Sequence, residues 1–149
     1  MMNNQESLLR GLPVAHLLRS GEHGPSLRGS RCEACGEMFF PVSANCTACC
    51  GSDMSECELG SQGVLWSWTV QSFQPKSPYN GGEPEHEFRP YGVGYVEMPG
   101  GVKVESRLTL ADPQHLRIGM PMELCVVPYG RSPDGTTLHT FAFAPAGEA

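Results

Sequence analysis

Cysteines are the residues of this chain whose spacing most clearly predicts chemistry. Seven occur in 149 residues, and four of them form two Cys-x-x-Cys pairs, Cys32 with Cys35 and Cys46 with Cys49. Two intervening residues let both sulfurs of a tight turn point at one ion, and two such turns supply the four thiolates of a closed structural zinc site. The spacing therefore predicts a tetrahedral Zn²⁺ site at these four cysteines.

Alternatives to this assignment remain open at the level of sequence. Iron in the same four-sulfur site, as in rubredoxin, needs the same ligands, and cysteines that merely fill a small core are a further possibility. The fourth ligand is ambiguous because Cys46 and Cys50 form a Cys-x-x-x-Cys pair, although the symmetry of the spacings favours Cys49. Cys57 and Cys125 have no partner at ligand spacing, and we expect them to be small apolar residues of the interior.

The composition indicates in which cell compartment the protein works and which class of partner it binds. The odd number of cysteines fits a reducing environment better than a disulfide framework. The polar first residues and the absence of a run of about 18 apolar residues predict a cytoplasmic protein without a membrane span. A net charge of -6, with only two lysines, argues against non-specific binding to nucleic acid.

Periodicity divides the chain into three parts. Residues 1–30 are predicted to be an N-terminal helical segment, interrupted by Pro13, with a linker at 21–30. Residues 31–58 form the predicted zinc ribbon. Residues 59–149 alternate short strands with turns rich in glycine and proline, which is typical of a small β domain.

Five strands with a break between the third and the fourth predict an OB-fold, a small partly open barrel; a generic sandwich or an SH3-like barrel is the alternative. Gly92 and Gly94 share one face of the second strand, where a missing side chain lets a barrel bend or another backbone approach. Strict alternation places Val64, Trp66 and Trp68 together on one face of the first strand. The fold class is thus mainly β: an N-terminal helical segment, a rubredoxin-like zinc ribbon and a five-stranded OB-fold barrel. The predicted strands are 63–73, 91–98, 102–110, 121–127 and 136–144.

The motifs taken together resemble a known family. The chain carries, in this order, LRGSRCEACGEMFFP, NCTACCGS, GVLWSWTVQ, RPYGVGYVEMPGGVKVESRL, LRIGMPMEL and FAFAP. This series resembles the zinc-ribbon/OB-fold proteins associated with acyl-CoA metabolism, over roughly residues 25 to 145. Such proteins are typically accessory subunits of thiolase-fold enzymes that act on CoA thioesters. One departure is Cys50, which precedes the glycine that usually follows the second cysteine pair directly.

The resemblance implies a hetero-oligomer in which a thiolase-type partner, a thiolase or an acyltransferase, performs the chemistry. This chain would then support assembly and contribute to acyl-CoA binding or channelling. No catalytic residue is expected in it, because the paired cysteines are assigned to metal and the five histidines are scattered. A single-stranded nucleic-acid-binding module is the alternative function, since OB barrels and zinc ribbons serve that role elsewhere.

Candidate binding residues follow from the chemistry of CoA, whose phosphates suit arginine. The same cations could equally be ordinary solvated residues. The long loop at 74–88, rich in proline and glycine, is predicted to lie at a partner or ligand edge. The acyl-CoA or partner surface is predicted at Phe88, Arg89, Tyr91, Lys103 and Arg107.

Overall fold

The computed structural model describes residues 12–147, which form two β-sheets. Within this part of the chain the helical elements are two 3-10 turns, Ala15–Leu17 and Glu85–Glu87, and no helix is long and apolar enough to cross a membrane. The strands are β1 (Leu18–Gly21), β2 (Gly24–Cys32), β3 (Met38–Phe39), β4 (Met54–Gly60), β5 (Gln62–Gln71), β6 (Tyr91–Glu97), β7 (Lys103–Leu108), β8 (Pro121–Arg131) and β9 (Thr137–Pro145).

The helix predicted near the N-terminus is not supported by the described residues. Its first part, up to residue 11, lies outside them, and of the rest only Ala15–Leu17 is helical. Most of the predicted linker is instead strand β2, which pairs antiparallel with β1. Leu18 and Leu27 face each other across this pair and are both buried. Sheet pairing buries these side chains, whereas a short helix interrupted by Pro13 would be marginal by itself.

The first sheet is the ribbon, with β2 at its centre. Leu27 pairs with both β1 and β4, and Ser30 and Arg31 pair with both β3 and β4, so β1 and β3 share one edge of β2 and β4 occupies the other. Gly29 permits this close packing, because a Cβ there would lie 2.6 Å from the carbonyl oxygen of Phe39. Arg28 donates to both carboxylate oxygens of Glu56 across the β2–β4 pair, at 2.7 and 3.0 Å, and to the carbonyl of His16 at 2.8 Å. This fork ties the 3-10 turn to both strands.

The second sheet closes on itself as a barrel in the order β5-β6-β7-β9-β8. All of its strand pairs are antiparallel except the contact of β7 with β9. The predicted five-stranded OB-fold barrel is therefore confirmed. The predicted strand bounds agree to within two residues, except that β8 continues to Arg131.

Two glycines of β6 allow the barrel to close tightly. Gly92 and Gly94 are both buried. A Cβ on Gly92 would collide with the carbonyl oxygen of Leu110, and one on Gly94 would lie 2.8 Å from the carbonyl oxygen of Ser67. The predicted approach of another backbone at these glycines is confirmed.

The first barrel strand departs from the predicted alternation. A bulge interrupts the pairing of β5 with β6 between Leu65 and Ser67. Leu65 is fully buried, whereas Val64 and Trp66 are 44% and 50% exposed, and Trp68 packs against the core again after the bulge. Because a bulge sets two residues opposite one, the face predicted from strict alternation is wrong for Val64 and Trp66.

The ribbon and the barrel share one hydrophobic core. Leu18, Leu27 and Leu59 of the ribbon belong to the same buried cluster as the inward-facing residues of the barrel. Phe40, which follows β3, meets Phe141 of β9 edge to face, with ring centroids 6.2 Å apart. This packing fixes the cysteine-bearing turns relative to the barrel. The division of the chain at residues 30 and 58 stays a prediction.

Candidate functional site

Two turns of the same construction carry the cysteine pairs. In each, the amide of the first cysteine, Cys32 or Cys46, donates to the carbonyl five residues later at 2.8 Å. The amide four residues after that cysteine donates back to the cysteine's carbonyl, again at 2.8 Å. The residue that donates back has a positive φ in both turns, +83° at Gly36 and +63° at Cys50. Cys50 is the only non-glycine residue within 12–147 with this backbone conformation, which glycine adopts most readily.

The four sulfur atoms that the sequence singled out lie within 4.8 Å of one another. The Sγ atoms of Cys32 and Cys49 are 3.6 Å apart, and those of Cys35 and Cys46 are 3.5 Å apart. Sulfurs about 2.3 Å from a tetrahedral zinc ion would be about 3.8 Å from one another, so the spacing fits one ion. These four cysteines could therefore hold a metal, and sulfur ligands suit zinc and iron alike.

The thiols of this cluster influence one another's protonation. The backbone amide of Cys35 is the main hydrogen-bond donor that lowers the pKa of Cys32 to about 7. At Cys49 a hydrogen bond from the amide of Gly51 lowers the pKa, but contacts with the other thiols, first that of Cys32, outweigh it and raise the pKa to about 12. Once one thiolate forms, its neighbours are harder to ionise. A cation between the sulfurs would remove that repulsion, so this donor set suits a metal ion.

The remaining cysteines lie outside the cluster. Cys50 is exposed and is not among the four grouped sulfurs, so the structure brings together Cys49 and not Cys50. Cys57 and Cys125 are half-buried, and burial raises the pKa of both thiols. A raised pKa keeps a thiol protonated and weakly nucleophilic, which agrees with the expectation that both are small apolar residues.

Three of the five residues predicted for a binding surface form one cluster on the barrel. The rings of Phe88 and Tyr91 meet edge to face at 6.1 Å, and the guanidinium of Arg107 lies 3.9 Å from the centre of the Tyr91 ring. Tyr79, from the loop between β5 and β6, lies 6.3 Å from Phe88 and donates a 2.6 Å hydrogen bond to Glu83. Burial and this hydrogen bond raise the pKa of Tyr79 to about 12. The aromatic contacts therefore hold the loop against β6 and β7.

The other two residues of the predicted surface lie apart from this cluster. Arg89 is exposed. Lys103, at the start of β7, pairs with Glu97 at 3.5 Å and lies 4.8 Å from the centre of the Trp66 ring. Trp66 in turn meets Tyr95 edge to face at 6.3 Å. This exposed aromatic pair was missed from the sequence because the bulge in β5 reverses the face on which Trp66 lies.

Comparison with known proteins agrees with this architecture. Residues 56–127 match the family model of the ChsH2 C-terminal OB-fold domain. The chain is 28% identical over 119 residues to benzoylsuccinyl-CoA thiolase subunit BbsA of Thauera aromatica, covering 80% of this chain and 76% of that protein. It is 29% identical over 140 residues to a DUF35 domain-containing scaffold protein of Methanothermobacter thermautotrophicus, covering 89% and 98%. The predicted family resemblance is confirmed.

A solved structure supports the fold of this chain. A chain of the Ltp2-ChsH2(DUF35) aldolase superposes with a TM-score of 0.60, at 23% identity, and 98% of each chain is covered. At that identity the likeness establishes the fold alone. The proteins similar to this chain thus include one named as a thiolase subunit and others named as scaffold proteins.

Proposed function

We propose that this chain is a non-catalytic accessory subunit that binds a structural Zn²⁺ ion and supports the assembly of a thiolase-type enzyme acting on acyl-CoA. The observation that carries the proposal is the four-sulfur cluster in a ribbon packed on the barrel core. An ion held by four protein sulfurs has no open position for substrate, so its role would be structural. Bond breaking would then belong to the partner, in keeping with relatives named as a thiolase subunit and as scaffolds.

The histidine contacts of the described chain support a non-catalytic role. His86 lies 3.7 Å from Glu87, and His115 lies 3.1 Å from Asp112. All four side chains are more than half exposed. Catalytic acids and bases are generally tuned by desolvation in a cleft, and these exposed contacts lack that setting.

We place the catalytic partner on the outer face of β5 and β6, at the exposed pair formed by Trp66 and Tyr95. Tryptophan and tyrosine supply a large apolar area at protein interfaces and are enriched there. Lys103 and Glu97 flank the pair and would form a charged rim. Acyl-CoA would meet the separate cluster of Phe88, Tyr91 and Arg107. The three-part division of the chain and a cytoplasmic location belong to the same proposal.

The test is to produce the full chain with and without a candidate thiolase-type subunit and to measure three quantities together. We expect co-elution of the two proteins in gel filtration, about one zinc ion per chain, and faster thioester turnover when both are present. A partner that reaches full turnover alone and never co-elutes would contradict the proposal, as would turnover by this chain alone. Salt-sensitive binding of single-stranded nucleic acid would instead support the alternative function.

The partner surface has its own variant. Trp66→Ala removes the centre of the exposed aromatic pair and should weaken association by about 2 kcal/mol, the size expected of an interface hot spot. Thr69→Ala, an exposed position farther along β5, is the matched control and should leave association unchanged. Equal affinities of the two variants for the partner would exclude Trp66 from the interface.

A further inference from the structure

The long loop between β5 and β6 is held against the end of β8. At Gly130 a Cβ would collide with the carbonyl oxygen of Asn80, so the two backbones touch there. Gly82, with a φ of +86°, brings the loop past the amide of Arg131. In OB-folds the loop after the first strand, the loop before the last strand and the face of the second and third strands commonly bind ligands. This end of the barrel combines all three of those elements.

A shallow, open cavity of about 310 Å³ lies at this junction. Arg107 of β7 and Arg131 of β8 both line it, and among residues 12–147 they are its only charged lining residues. Thr137, at the start of β9, adds a hydroxyl group, and Gly81 and Gly130 leave the backbone close to the cavity. A cavity whose charged groups are two guanidinium ions favours an anion.

The two guanidinium groups are available for such an anion. Among residues 12–147 neither Arg107 nor Arg131 forms an ion pair. The guanidinium of Arg107 packs on the ring of Tyr91 at 3.9 Å from the ring centre, and its N–H groups can donate to an anion in a fork. This contact also restrains the side chain in advance, so less conformational entropy is lost on binding.

A carboxylate lies beside this cavity, because a Cβ on the lining residue Gly81 would collide with the carboxylate of Glu83. Glu83 and Glu85 line a neighbouring cleft of 810 Å³, which Arg131 also lines and Arg107 does not. The carboxylate of Glu83 accepts a hydrogen bond from Tyr79. An anion in the small cavity would therefore meet two guanidinium ions and one neighbouring carboxylate, which leaves a net positive charge.

We propose that Arg107 and Arg131 bind a phosphate or diphosphate group of a small molecule in this cavity. The inference rests on the proposed function in so far as the ligand is a CoA thioester, which carries both a diphosphate and a 3'-phosphate. Inorganic pyrophosphate and nucleotides share the same chemistry. Arg107 supplies a preorganised fork from the barrel face, and Arg131 closes the site from the edge next to the loop.

The test is isothermal titration calorimetry of the full, zinc-loaded chain at low ionic strength. The probes are inorganic pyrophosphate, ADP, CoA, dephospho-CoA and pantetheine, which carries no phosphate. We expect pyrophosphate and CoA to bind, pantetheine to bind at least tenfold more weakly than CoA, and added salt to weaken the phosphate ligands. Arg131→Gln and Arg107→Gln should each weaken pyrophosphate binding about 10- to 100-fold, the range for hydrogen bonds to charged groups.

Two further variants separate the effect of the arginine fork from the effect of charge alone. Arg107→Lys keeps the charge and loses the fork, so its affinity should fall between those of wild type and Arg107→Gln. Arg117→Gln removes an exposed arginine that does not line the cavity and should bind pyrophosphate as wild type does. Thermal unfolding of each variant verifies that the fold is retained.

Each outcome has a defined meaning. Equal pyrophosphate affinity of wild type and of the folded Arg107→Gln, Arg131→Gln double variant would overturn the proposal. Tighter binding of CoA than of dephospho-CoA assigns the site to the 3'-phosphate, and equal binding of the two assigns it to the diphosphate. Arginine-dependent binding of pyrophosphate and ADP without CoA supports the site and contradicts an acyl-CoA role. If the wild-type chain binds pyrophosphate but does not associate with a thiolase-type partner, the proposed function is contradicted and the anion site is not.

Discussion

Replacing Cys50 by glycine should stabilise the protein without loss of metal. Cys50 has a φ of +63° at the position where the first turn has Gly36 at +83°. Holding an L-residue in the left-handed region costs about 1 to 2 kcal/mol, and glycine gives back about 0.5 to 1 kcal/mol through the greater freedom of the unfolded chain. The difference predicts a net gain of about 0.5 to 1 kcal/mol for Cys50→Gly, or a rise in Tm of roughly 1 to 4 °C for a chain of this length.

The assay is chemical and thermal unfolding of the zinc-loaded chain, with metal content measured on the same samples. Cys50→Ala is the matched control, because it removes the thiol but keeps the Cβ and therefore the backbone strain. We expect its stability and metal content to stay close to wild type. Gly36→Ala should introduce the same strain in the first turn and destabilise by about 1 kcal/mol. The reasoning is refuted if Cys50→Gly is no more stable than Cys50→Ala, or if either variant loses its metal.

Three further outcomes follow from the structure. Cys46→Ser should lose the bound metal and unfold the ribbon at a lower temperature, since structural zinc contributes folding free energy directly; unchanged metal content and Tm would contradict the ligand assignment. Gly92→Ala should destabilise by about 1 to 3 kcal/mol in urea unfolding, because its Cβ would strike the carbonyl of Leu110, whereas Gly147→Ala, with open space around it, should be neutral. Hydrogen bonds from the hydroxyl of Ser132 and the backbone amide of Thr136 lower the pKa of Asp134 to about 2, from an ordinary value of 3.8. The folded state then binds fewer protons than the unfolded state, so this contribution is present above pH 4 and lost as the pH falls toward 2; unfolding of Asp134→Asn between those pH values should lack that component.

Local chemistry explains why the barrel was predictable from the sequence. Strands β6 and β7 keep strict alternation, as in β7, where Val104 and Leu108 are buried and Lys103 and Glu105 are exposed. Glycine and proline mark the turns between the strands. Gly92 was recognisable because a glycine inside a strand signals close approach of another backbone. The order of elements then left few topologies other than the OB-fold.

The prediction of a helix in the N-terminal segment was wrong because tertiary contacts, and not local chemistry, decide the structure there. Leu17 and Leu18 fit a helical spacing, but Leu18 is buried by pairing with a strand whose own residues resemble a linker. Propensity is a weak prior that tertiary burial overrides. The bulge that exposes Trp66 is likewise invisible to a rule of alternation, since it depends on how β5 meets β6.

Sequence alone determined the identities of the four clustered cysteines, because ligand spacing within a tight turn is a local property of the chain. It also determined the five strands of the barrel, because alternation and turn residues act over a few positions. Only the tertiary structure decided that Arg131 joins Arg107 at one cavity and that Trp66 faces outward beside Tyr95. Those contacts join residues distant along the chain, and strand register and bulges set which of them meet, so no local pattern encodes them.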